Sequence, residues 1–202
     1  MYSDINFYLC APKFERMNYR RAYEIAFVGL KPGVHDFEYK VDDRFFEHYG
    51  PQDFENCHAE IKVKLEKTSS LILLKFDISG TVDVQCDRCA NTITKELWDE
   101  FNVVVKMVDE PDQMNEQEED PDIFYIGYQE SHLHLADWIF EFVNLSIPIQ
   151  RFCSEDPEDN SKCNQEVIAR LDQMKQRATQ NDSSNLWKDL DKLKGLEGDS
   201  PN

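Results

Sequence analysis

The sequence predicts an α+β fold, an antiparallel sheet meander of about six strands packed by helices on one side. Three observations predict it. From Leu74 to Cys86 the even positions are Leu74, Phe76, Ile78, Gly80, Val82, Val84 and Cys86, and the odd ones are Lys75, Asp77, Ser79, Thr81, Asp83 and Gln85. Successive strand side chains point to opposite faces, so this alternation marks a half-buried strand. Ala59, Ile61, Val63 and Leu65 alternate in the same way with Glu60, Lys62, Lys64 and Glu66. Leu135, Trp138, Ile139, Phe142 and Val143 fall at i, i+3, i+4, i+7 and i+8, the single apolar stripe of a helix that buries one face.

The other elements follow in chain order. Met1 to Asn18 shows no clear period. Tyr23 to Leu30 reads as a strand ended by Lys31-Pro32-Gly33, and Phe37, Tyr39 and Val41 alternate in the next. Asp42 or Asp43 can cap a short helix through Tyr49, which Gly50-Pro51 ends. Thr68-Ser69-Ser70 turns the chain into the long strand that delivers Cys86. Asp87-Arg88 then brings Cys89 back beside it, which predicts a Cys-x-x-Cys hairpin tip. Ile93, Leu97, Phe101, Val103, Val105 and Met107 mark another extended run. The segment 109–122 holds eight acids and no base, with Pro111 and Pro121, and reads as a mobile loop, either a solvated insertion or an acidic lure for a basic partner. Ile123 to Ile126 predicts a short returning strand, and Ser146-Ile147-Pro148 stops the main helix. Asn164 can cap a second helix with Val167, Ile168, Leu171 and Met174 inward. The domain organisation read from this pattern is one α+β domain over 1–177, containing the acidic loop 109–122 and a cysteine loop 153–163. Residues 178–202 follow as a polar linker, a short Trp-containing helix and a frayed tail.

A formal net charge of −18 opposes indiscriminate phosphate binding and favours basic partners or plain solubility. One window runs the other way. Between 11 and 33 stand Lys13, Arg16, Arg20, Arg21 and Lys31 against Glu15 and Glu24, with Phe14, Tyr19 and Tyr23 interleaved. It is either a solvated strand edge or a small basic-aromatic patch for RNA or another partner. No apolar run reaches the length of a membrane span, and the N-terminus lacks a basic segment followed by an apolar one. The expectation is a cytoplasmic protein without membrane association or a small-molecule substrate.

In that compartment six cysteines point to thiols or metal ligands rather than disulfides. Cys86 and Cys89 form one local pair and Cys153 and Cys163 a second, looser one. Four thiolates in two pairs suit a tetrahedral structural zinc, and four protein ligands leave no open position for water or substrate. The alternative is four free thiols held near one another. Redox catalysis is discounted, because Asn91-Thr92-Ile93-Thr94 continues as a strand and not as the helix such a motif opens. Cys10 and Cys57 read as small buried apolar groups, and His132 and His134 as a solvated edge or a metal pair on one strand face. The chain carries no Gly-rich phosphate loop, no Gly-x-Ser-x-Gly elbow and no His-Glu-x-x-His.

The strand and turn from Gly80 to Cys86-Asp87-Arg88-Cys89 resemble the YceD family, described as large ribosomal RNA subunit accumulation proteins. So does the run Leu135-Ala136-Asp137-Trp138-Ile139-Phe140-Glu141-Phe142-Val143-Asn144-Leu145-Ser146-Ile147-Pro148, leading to Cys153 and Cys163, and so does Trp187-Lys188-Asp189-Leu190-Asp191-Lys192-Leu193 near the C-terminus. The resemblance spans about residues 60–193. It implies a non-enzymatic ribosome-biogenesis factor needed for synthesis, processing or accumulation of large-subunit (23S) rRNA. The implied partner is ribosomal RNA, a ribosomal protein or an assembly intermediate. It does not establish zinc, because the second cysteine pair varies within the family. Two rival readings remain: a zinc-stabilised adaptor for a basic ribosomal protein, and an RNA-processing nuclease.

Overall fold

The computed structural model describes residues 20–156 and 158–182. They fall into two compact units, one made of residues 20–85 and 94–150, the other of residues 86–93 with the described residues from 151 onward.

The first unit is built on a five-stranded sheet of β2 (Gly33–Asp42), β3 (Phe54–Lys67), β4 (Leu71–Gln85), β5 (Thr92–Val108) and β6 (Ile123–Gly127), in that spatial order. β2 with β3 and β3 with β4 are antiparallel, with Ile61 opposite Ile78, Val63 opposite Phe76 and Leu65 opposite Leu74. The alternation read from the sequence is the burial pattern observed. Ile61, Val63, Leu65, Ile72, Leu74, Phe76, Ile78, Val82 and Val84 are all buried. Their partners on the other face, Lys62, Lys64 and Glu66 among them, are exposed.

Three elements differ from expectation. Only Glu24–Ile25 forms a strand (β1) in the 23–30 segment, pairing antiparallel with β7 (Leu133–His134), and tight 3-10 turns flank it at Arg21–Tyr23 and Phe27–Gly29. The Lys67 ammonium donates to the carbonyls of Phe27 and Leu30, at 2.8 and 2.9 Å, so these groups are satisfied without a sheet ladder. Next, β6 runs parallel to β5, with Val104 opposite Ile123. A parallel neighbour needs a crossover, and the acidic segment supplies it: Pro111–Gln117 is a helix with proline in its first turn. Asn115 on that helix donates to the carbonyl of Tyr125 (2.9 Å) and accepts from its N–H (2.8 Å), standing in for a strand neighbour. The third difference lies in the last described helix, Gln165–Asp182, which runs on past 178 where a polar linker was expected. Leu171 and Met174, expected inward, are 38% and 59% exposed.

With Asp43–Phe46 as α1 and Pro111–Gln117 as α2, the amphipathic helix predicted near 135–143 is α3 (Ala136–Leu145), and Gln165–Asp182 is α4. α3 lays Phe142 flat on Phe101, with centroids 4.4 Å apart, and edge-on to Phe76 at 5.0 Å. Trp138 meets Phe76 and Phe124 edge-on. Both contacts to Phe76 place α3 on β4, the strand that also carries Val82 and Val84. Phe54, opposite Val84, packs on Phe46 of α1, and Phe46 contacts Phe140 of α3. Such aromatic pairs contribute about 0.5–1.5 kcal/mol each beyond the area they bury.

α1 is capped by Asp42, whose carboxylate accepts the Arg44 N–H at 3.1 Å. The adjacent Asp43 has a different task. β3 carries an irregularity between Glu55 and His58, where Asn56 has φ 51°. Such a bulge takes backbone N–H groups out of the ladder. Asp43 Oδ2 accepts the Asn56 N–H at 3.0 Å and Oδ1 the Cys57 N–H at 2.8 Å. Asp43→Ala is therefore expected to lower stability by about 1–2 kcal/mol in urea unfolding. Asp43→Asn, which keeps one acceptor, should lose less; an equal loss in the two would mean that charge and not hydrogen bonding holds the bulge. No described helix is long and apolar enough to cross a membrane.

Candidate metal centre

The second unit is organised by four cysteines. Cys86 follows β4 directly, and the chain reverses over residues 86–91 before β5. The Ala90 N–H donates to the Cys86 carbonyl (2.9 Å) and the Cys86 N–H to the Asn91 carbonyl (2.8 Å). Ala90 takes φ 56°, the left-handed conformation that lets the turn close. The turn aims backbone N–H groups at sulfur. Those of Arg88 and Cys89 point at Cys86, and those of Asn91 and Asn164 at Cys89.

Residues 151–163 are pinned to this turn. The Asp87 N–H donates to the Arg151 carbonyl and the Arg151 N–H to Asp87 Oδ2, both at 2.8 Å. Arg88 donates to Asn160 Oδ1 (2.6 Å) and lies over the Phe152 ring, 4.3 Å from its centroid. The loop between Cys153 and Cys163 is knotted by buried Ser154. Its hydroxyl reaches the carbonyls of Asp156 and Asp159 at 2.8 and 2.7 Å. Asn164 caps α4 by accepting the Glu166 N–H, as expected.

Cys86, Cys89, Cys153 and Cys163 thus converge: their sulfurs lie within 4.8 Å of one another, and Cys89 and Cys153 are 3.5 Å apart. That is far beyond the ~2.05 Å of a disulfide, and all four are free thiols. A tetrahedral zinc–thiolate centre has sulfur–sulfur edges of about 3.8 Å, as its ~2.3 Å bonds require, so the donor set and its spacing fit such an ion. Cys86, Cys89 and Cys163 are buried and Cys153 half-buried, with Ile93, Val167 and Ile168 packed around them.

The thiols divide electrostatically. Burial by itself raises the Cys86 thiol, but the N–H groups of Arg88 and Cys89 and the neighbouring thiols outweigh it and hold the group down at about 6. Cys89 is also lowered: burial opposes this, and the N–H groups of Asn164 and Asn91 prevail. Cys153 and Cys163 are pushed up, by burial first, Cys153 also by its sulfur neighbours. The turn thus favours the thiolate form at Cys86 and Cys89, while burial disfavours it at Cys153 and Cys163, where a bound cation would offset that cost.

The family model described as "Large ribosomal RNA subunit accumulation protein YceD" matches residues 74–194. The chain belongs to the YceD family. No curated protein and no solved structure matches it. The YceD match takes in all four cysteines, α3 and α4, and it leaves the basic 13–31 segment outside.

The other candidate residues are not assembled in this way. Lys13, Arg16 and Cys10 lie outside the described residues. Arg21 and Lys31 are exposed, whereas Arg20 is engaged by Asp137 at 3.2 Å. His134 faces Glu24 and His132 faces Ser131; neither joins a metal-ligating cluster among the described residues. Cys57 is wholly buried, as its apolar reading implied, and burial beside Asp43 and Asp42 pushes its thiol up to about 12. Sequence reasoning missed Asp87, Arg88, Phe152 and Asn160. Their signal was position alone, inside or beside the cysteine pairs.

Proposed function

We propose that the chain is a non-enzymatic, cytoplasmic ribosome-biogenesis factor required for synthesis, processing or stable accumulation of 23S rRNA, and that Cys86, Cys89, Cys153 and Cys163 hold a structural zinc in its second unit. The YceD match over 74–194 carries the first part and the four-sulfur cluster the second. A zinc there supplies cross-linking, with no open coordination position for a substrate. The partner is ribosomal RNA, a ribosomal protein or an assembly intermediate. A nuclease acting through metal ions needs converging carboxylates, whereas the metal-competent cluster found among the described residues is made of thiols.

Depletion of the protein in cells is expected to lower 23S relative to 16S rRNA, with restoration by the wild-type chain; an unchanged ratio would remove the reading. Arg20, Arg21 and Lys31, all exposed, are the described part of the proposed RNA contact, which also includes Lys13 and Arg16. Arg21→Glu with Lys31→Glu should weaken rRNA-fragment binding several-fold and flatten its salt dependence, because each lost phosphate contact removes counterion release. Lys188→Glu is the comparison, and an equal effect there would strike the patch out.

A further inference from the structure

We propose that a cleft in the first unit, lined by β6, β7 and the start of α3, receives an arginine side chain from a basic protein partner. The cleft has a volume of about 410 Å³. Its apolar wall is the edge-to-face pair Phe124 and Trp138, with centroids 5.3 Å apart and Phe124 40% exposed. Its polar lining includes the carboxylates of Asp112, Glu130 and Asp137. Those of Asp112 and Glu130 make no ion pair among the described residues. An aromatic wall with carboxylates around it suits a planar, weakly hydrated cation, which stacks and hydrogen-bonds at once.

The chain itself indicates which cation. Arg20, part of the same lining, places its guanidinium on Asp137 Oδ1 at 3.2 Å, an oxygen that also accepts from Tyr49 at 2.9 Å. The two side chains of this ion pair are 53% and 62% exposed. An exposed pair of this kind contributes little, so a second guanidinium can displace Arg20 without a large penalty. Three carboxylates against one arginine repel a phosphate backbone and attract a basic chain, as does the net charge of −18. The inference names the kind of partner that the ribosome-biogenesis reading leaves open, and rests on that reading for the partner being a protein of the assembling subunit. Displacement also frees Arg20 beside Arg21, which is exposed.

The test is a titration of the ¹⁵N-labelled full chain with N-acetyl-arginine amide, with N-acetyl-citrulline amide as the neutral isostere. The indole N–H of Trp138 is followed and that of Trp98, outside the cleft, serves as reference. Arginine is expected to shift Trp138 and leave Trp98 in place, and citrulline to shift neither. Arg20→Ala should tighten arginine binding about threefold by removing the resident guanidinium, in keeping with a weak exposed pair. Asp112→Asn with Glu130→Gln should loosen it about tenfold, a change of about 1.4 kcal/mol. Equal shifts with citrulline, equal movement of Trp98, unchanged or weaker binding in Arg20→Ala, or a larger Trp138 shift with an oligouridylate would each overturn the proposal. The readout is separate from rRNA accumulation: loss of 23S rRNA on depletion with no arginine response rejects the cleft alone, and the converse rejects the biogenesis role alone.

Discussion

Purified without chelator, the wild-type chain is expected to carry about one zinc ion per molecule, and Cys86→Ser with Cys153→Ser to carry none. The magnitudes make this the largest effect available in the protein. Besides the sulfurs, the core of the second unit holds Ile93, Val167 and Ile168, all only partly buried. Full burial of an aliphatic side chain contributes about 1.5–3 kcal/mol, so three partly buried ones fall well short of ordering the segment 151–165 against its chain entropy. Structural zinc in zinc-finger peptides contributes an apparent ~10–16 kcal/mol, which is enough to decide the matter. The double variant should lose hydrogen-exchange protection at Arg88, Cys89, Asn91 and Asn164, whose N–H groups face sulfur. The ladder amides around Ile61 and Phe76 in the first unit should keep theirs. Zinc-free wild type, zinc retained in the double variant, or a non-reduced mass lower by the hydrogens of two disulfides would each defeat the proposal.

The sequence made the sheet legible wherever one face is buried against solvent on the other. In β3 and β4 parity alone selected the core: Ile61, Val63, Leu65, Leu74, Phe76 and Ile78 are all buried. It also selected the stripe on α3. What parity cannot carry is strand direction. The short apolar run Ile123 to Ile126 reads the same beside an antiparallel or a parallel neighbour, and the sign of the crossover lay in a segment so acidic that it read as unstructured. Pro111 and Asn115 decided it through position and hydrogen bonding, which no hydropathy pattern records. Around the cysteines, spacing showed the two pairs, while the Asp87–Arg151 and Arg88–Asn160 bonds that bring them together join residues far apart in the chain. The same limit hid the cleft. Arg20 and Asp137 are separated by 117 positions, and nothing local to either announces the other.

Gly80→Ala is expected to destabilise the first unit by about 2–6 kcal/mol, the sum of backbone strain and overpacking. Gly80 interrupts the apolar parity of β4, where a larger side chain would ordinarily continue the core face. It stands opposite Ala59, directly after the irregular stretch of β3 in which Asn56 turns left-handed under the Asp43 carboxylate. That irregularity brings β3 close. A Cβ built on Gly80 lies 2.0 Å from the His58 carbonyl oxygen and 2.8 Å from the Ala59 Cα, well inside van der Waals contact and against backbone on both counts. Gly80 also has φ +148°, a conformation that residues with a side chain rarely adopt. Neither conflict can be relieved by rotating a side chain, so the two strands must part locally or the bulge must move. Gly29→Ala is the matched control, because nothing lies within 4 Å of a Cβ there; it should change stability by less than about 0.5–1 kcal/mol. Urea unfolding read from the same probe in both variants makes the comparison. A Gly80→Ala midpoint as high as that of Gly29→Ala would show that β3 and β4 do not approach in solution as they do here, and the account of the bulge would fall with it.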